Sequence, residues 1–142
     1  MKKVIHVIFY ILTRESILYE FDCRNIMQVS SSTINIEDYD KKQIYLQIMS
    51  DKFCMRIISS IISHSKTAVE ISKETTIPIS TVYRRLQLLQ ENKVIKISGG
   101  IGKDGKFFVY KSRLKTISAM FDGDTVSLTV TQNPNLQQID KS

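Results

Sequence analysis

The feature that most narrows what this chain can fold into is a change of hydrophobic period at Lys93. Upstream, apolar residues return every three or four positions: Phe53, Ile57 and Ile61 beside Cys54, Ile58 and Ile62, then Val82, Leu86 and Leu89. That spacing lines one face of an α-helix. Downstream the period drops to two, in the β-rich runs Val94–Ser98 and Phe107–Lys111. Four of the chain's five glycines fall between those runs, within Gly99–Lys106, and predict a flexible hairpin tip. A helical bundle lacks the second pattern and a β-sandwich lacks the first, so the expected class is α+β.

Local signals mark the element ends. Ser50 is expected to cap the first of these helices. Thr67 and Glu70 form a capping-box pattern for a short helix from Ala68 to about Thr75, which Thr76-Ile77-Pro78 breaks. Ser80 is expected to cap a third helix running to about Asn92, with Val82, Leu86 and Leu89 turned inward. Arg85 borders that stripe and is expected to snorkel or to pair with Glu91. Further on, Asp122-Gly123 predicts a two-residue hairpin turn that pairs Ile117 with Leu128 and Ala119 with Val126. Met120 and Phe121 read as packing residues, and the polar tail Gln132–Ser142, with its Pro134, as frayed. Residues 1–49 are less regular. Lys3–Phe21 is apolar with a mixed period, Val29–Thr33 reads as a Ser/Thr linker, and Ile36–Met49 leads toward the first helix. The expected division is an N-terminal extension over 1–49, a main domain over 50–121, and a hairpin return strand with a tail over 122–142.

Charge is concentrated where those elements are. The 142-residue chain has a net charge of +6. Residues 50–121 hold 13 Lys and Arg against 5 Asp and Glu, a local +8, whereas the remainder holds 7 against 9. With 21 Ile, 14 Lys and only 2 Ala, the composition resembles that of an AT-rich genome, but such bias would spread lysine evenly. Its clustering argues for a polyanionic partner.

Other chemistries find little support. Cys23 and Cys54 are too few and too isolated for a zinc site or a disulfide framework, which fits a reducing cytoplasm. His6 and His64 have no partners at ligand spacing. No Ser/His/Asp set, catalytic carboxylate pair or cofactor fingerprint is present, so neither an enzyme nor a cofactor is expected. Gly100–Lys106 has GxxxxGK spacing, but Phe107 stands where a phosphate loop needs Ser or Thr, and strand follows where that loop opens a helix. The run Val4–Leu12 is interrupted by His6 and followed by Thr13-Arg14-Glu15. It is shorter than the roughly 20 residues of a membrane span, and reads as a buried strand or helix piece.

Helix, helix, turn, helix, strand, glycine-rich tip, strand is the order of a winged helix-turn-helix. There the third helix enters the DNA major groove and the hairpin wing reaches neighbouring phosphates. With its apolar stripe inward, the third helix presents Ser80, Thr81, Tyr83, Arg84 and Gln87, hydrogen-bonding side chains able to address bases or phosphates. Lys103 and Lys106 at the wing tip suit the DNA backbone.

Ile77–Ile95 resembles the recognition segment of ArsR-like winged helix regulators, and more closely the small helix-turn-helix proteins of ammonia-oxidising archaea. Ser80-Thr81-Val82, Leu86, Leu89 and Val94-Ile95 carry the likeness, which covers roughly residues 50–121. It implies a transcriptional regulator that binds double-stranded DNA, with a homodimer formed through residues 1–49 or the 115–130 hairpin. Metal-sensing members of that family carry Cys-x-Cys or acidic and His clusters, which this sequence lacks, so no metal or small-molecule effector is carried over. The alternative expectation is a winged helix module that docks on a transcription-machinery protein or other protein partner.

Overall fold

Caps set the helical half. In the computed structural model, which describes residues 5–7 and 32–136, α1 (Tyr39–Ser50) opens on Asp38, whose carboxylate accepts from the Lys41 amide at 3.0 Å. The segment Ile36–Met49 thus forms most of a helix of its own. α2 (Lys52–Ser60) follows almost at once, because Asp51 stands between the two in extended backbone. Asp51 Oδ1 accepts from the Phe53 and Cys54 amides, at 2.9 and 3.1 Å, and caps α2 in place of Ser50. The Ser50 hydroxyl instead donates back into α1, to the Gln47 carbonyl. One carboxylate satisfying two orphan amides is the stronger cap.

α3 (Ala68–Thr75) begins with the capping box its sequence predicts, Thr67 and Glu70 bonding reciprocally. It ends at Thr76, in left-handed backbone with φ 55°. The Arg56 guanidinium and the Thr76 hydroxyl both donate to the Thr75 carbonyl, at 2.6 and 2.7 Å, and hold the turn into α4 (Ile79–Glu91). That helix starts before its expected cap: Pro78 takes the N-cap position without a side-chain bond, and Ser80 lies inside the first turn. The ring of Pro78 presets the backbone for entry, so no hydroxyl is needed there. At the far end Val94 N–H donates to Leu89 O and Lys93 N–H to Gln90 O, both at 2.9 Å. This is a Schellman motif with Lys93, φ 57°, where glycine is usual.

β3 (Ile95–Gly102) and β4 (Gly105–Ser112) pair without interruption to Gly102 opposite Gly105. The flexible tip expected over 99–106 is therefore mostly ordered ribbon, and only Lys103-Asp104 turns. Phe107 and Phe108 cause this, lying across from Gly100 and Gly99. A Cβ on Gly100 would come within 2.4 Å of the Phe107 ring, so a bare backbone lets the aromatic cover the facing strand. Lys66 adds one bridge to the ribbon through paired backbone bonds to Tyr110. No helix begins at 105–107, which removes the phosphate-loop reading.

The second sheet is built around β5 (Leu114–Phe121) and β6 (Val126–Gln132), with β1 (Ile5–Val7) and β2 (Thr33–Asn35) on its edges. Its antiparallel order is β1-β5-β6-β2. The observed register pairs Ile117 with Val130 and Ala119 with Leu128, two residues from the expected one. The Asp122 carboxylate accepts from the Asp124 and Thr125 amides, widening the turn to four residues. A slip of two keeps the same side chains on the buried face. Phe121, expected to pack, is half exposed.

Beyond β6, Asn133 is buried and donates to the carbonyls of Ile62 and Ser112, at 2.8 and 2.9 Å. The tail is anchored there and not frayed at Gln132. A single core joins both halves, with Ile57, Ile71 and Leu89 from the helices and Ile117, Leu128 and Val130 from the second sheet. The rest of Lys3–Phe21, most of the Val29–Thr33 linker and residues 137–142 lie outside the described residues.

Candidate nucleic-acid interface

Helix α4 turns two unlike faces to its surroundings. Val82, Leu86 and Leu89 are buried at 0%, 2% and 0% exposure, as their spacing predicts. Opposite them Ser80, Arg84, Gln87 and Glu91 are exposed and follow one another at helical spacing. Of the seven residues singled out from sequence, Ser80, Arg84 and Gln87 thus share one face. Tyr83 is exposed on its border, and Thr81 lies half-buried on the opposite flank. Lys103 and Lys106 are exposed together at the end of the β3–β4 ribbon.

Glu91, expected only as a partner for Arg85, is a fourth member of that face. Its carboxylate accepts from the Gln87 amide at 3.0 Å, so the two present themselves as a joined pair. The i, i+4 spacing of Gln87 and Glu91 was the available signal. The expected partner, Arg85, is committed elsewhere: its Nε lies 2.8 Å from Asp51 Oδ2. Arg85 flanks the core side of α4 and faces the α1–α2 junction, whereas Glu91 lies on the outer side.

The basic residues divide by what holds them. Lys66 pairs with Glu74, Arg56 reaches the Thr75 carbonyl, and Arg113 Nε donates to the Ile95 carbonyl at 3.2 Å. Lys111 is buried and donates to the Ser63 carbonyl, and burial pushes its pKa below the usual lysine range. Arg84, Lys103 and Lys106, by contrast, are exposed and held by no ion pair among the described residues, as are Lys52, Lys73, Lys93 and Lys115 elsewhere on the surface. Tyr110 joins the two regions: burial raises its phenol pKa and the nearby phenol of Tyr83 raises it further. The ribbon also carries exposed aromatics, Phe107 and Phe108, beside Ile101 at the tip. Their place in the β-rich run Phe107–Lys111 was the signal; that they lie over glycines of the facing strand was not, because it depends on the cross-strand register.

No family model, curated protein or solved structure matches this chain. Among the described residues no three His, Cys, Asp or Glu side chains gather as metal ligands would. No helix there is long and apolar enough to cross a membrane. Cys54 is buried inside α2, and burial first, then the Asp51 carboxylate, push its thiol up to about 11, a poor nucleophile at neutral pH. What remains exposed and chemically distinctive is a hydrogen-bonding helix face and a basic ribbon tip.

Proposed function

We propose that this protein is a winged helix-turn-helix transcriptional regulator that binds double-stranded DNA sequence-specifically. In this reading α4 is the recognition helix, α3 and the Thr76 turn brace it, and β3–β4 is the wing. The observation that carries the reading is the outer face of α4, where Ser80, Arg84 and Gln87 stand in a row with Tyr83 at its edge. Arginine matches the O6 and N7 edge of guanine, and glutamine that of adenine. The likeness of Ile77–Ile95 to ArsR-like regulators points the same way, as does the local excess of positive charge. The reading implies a cytoplasmic protein.

Selection from a random duplex pool, followed by salt titrations of variants, tests it. Arg84→Ala is expected to cost about 1–3 kcal/mol on the selected site and to relax preference at one base pair. Lys106→Ala is expected to weaken selected and random duplexes alike and to lower the log–log salt slope by about one unit. Equal weakening of both duplexes by Arg84→Ala would remove base reading by that residue. A protein-docking module is the second reading, favoured by the exposed Phe107 and Phe108 rings. It becomes the better one if neither variant changes binding to any duplex.

A further inference from the structure

The end of the ribbon is rich in glycine. Gly99, Gly100, Gly102 and Gly105 leave four positions without a side chain. Two have reasons in the fold, since Gly100 makes room for Phe107 and Gly105 adopts φ 106°. Gly99 and Gly102 have none: a Cβ on either would meet a phenylalanine ring at 3.5 Å, an ordinary contact, and neither has a positive φ. Glycine weakens a strand, and close approach of a ligand to the backbone is one of the reasons a strand carries it.

Ile101 stands in the middle of this glycine-rich stretch. At 85% exposure it is the most exposed large apolar side chain among the described residues. Lys106 lies directly across the ribbon from it, and Lys103 turns the corner. Residues 93–113 carry six Lys and Arg against the single acid Asp104. An apolar prong flanked by two ammonium groups, with one carboxylate at the turn between them, complements a polyanion with an apolar interior, and stacked base pairs between phosphates are such a partner.

We propose that the tip enters the DNA minor groove and sets Ile101 as a wedge against one base-pair step, with Lys103 and Lys106 on the flanking phosphates. The proposal rests on the duplex-binding reading above. The minor groove is about 6 Å wide, and the glycines on either side of Ile101 keep the approaching strand slim. Apolar wedges partly unstack the step they meet and kink the duplex by about 20–90°. Pyrimidine–purine steps open most easily, so a preference for TA or CA appears outside the α4 contacts.

The test is end-to-end energy transfer on dye-labelled selected duplex, with wild type, Ile101→Ala and Gly102→Ala. Wild type is expected to shorten the end-to-end distance. Ile101→Ala should straighten the duplex and lose the flexible-step preference, keeping the base preferences of α4 and the melting temperature. Gly102→Ala should weaken binding several-fold, also without a change in melting. A straight duplex in the wild-type complex, or an unchanged bend with Ile101→Ala, overturns the wedge and leaves DNA binding standing. Failure of wild type to bind any duplex overturns both. Binding to phosphatidylserine vesicles that Ile101→Ala abolishes, without any duplex bend, overturns the wedge and assigns the prong to an anionic membrane surface.

Discussion

Leu86 is 2% exposed while the next residue, Gln87, faces water and its own helix neighbour Glu91. Leu86→Ala is expected to cost about 2–5 kcal/mol, since it removes methylenes from a close-packed core. Gln87→Ala should cost no more than about 0.5 kcal/mol, the worth of one exposed i, i+4 pair. Urea denaturation of both variants checks the phase of α4, and equal losses would refute it. This phase was legible in the sequence because three apolar residues at i, i+4 and i+7 leave one solution. Lys93 was not legible: nothing in a lysine announces φ 57°, and the Schellman bonds that impose it depend on Val94 docking beside Leu89. Replacing a side chain in left-handed backbone with glycine relieves strain, so Lys93→Gly should raise stability by about 0.5–1 kcal/mol in the same assay.

The capping box of α3 was readable at the scale of one element, because reciprocal bonding needs only Thr67 and Glu70 three residues apart. It also titrates. The Thr67 backbone amide, and then its hydroxyl, donate to the Glu70 carboxylate and hold its pKa below the ordinary glutamate range. A depressed folded-state pKa means that this stability is present above the unfolded value and is lost as pH falls through the folded one. Glu70→Gln keeps an acceptor but no titration, so its melting temperature should fall less than that of wild type between roughly pH 5 and pH 2. The caps of α2 and α4 were misassigned for a shared reason. Several adjacent residues are competent caps, and the backbone path, extended at Asp51 and preset by Pro78, chooses among them. Hairpin register likewise passed from the Asp-Gly pair to the reach of the Asp122 carboxylate. In the ribbon, the strand stability of a glycine segment came from aromatics on the opposite strand, information that alternation within one strand does not hold.

Across the whole molecule, the joint between the helical half and the second sheet passes through Asn133, a residue that the tail's composition gives no reason to notice. Its side-chain amide satisfies two carbonyls, of Ile62 after α2 and of Ser112 at the end of β4, and its backbone N–H satisfies a third, of Arg113. Asn133→Ala strands two of these acceptors in a buried site, and a loss of about 1–3 kcal/mol is expected in calorimetric unfolding. Asn133→Asp, which supplies acceptors where donors are needed, should be at least as damaging. The strand pairings of the second sheet have a different consequence. Helices α2 to α4 and the ribbon close over short stretches of chain, but β1 must find β5, with Ile5 meeting Phe121, across most of the sequence. Loop closure over such a span slows the search far more than it weakens the finished pair. The helical half with its ribbon is therefore expected to form early, and the edge strand to dock last.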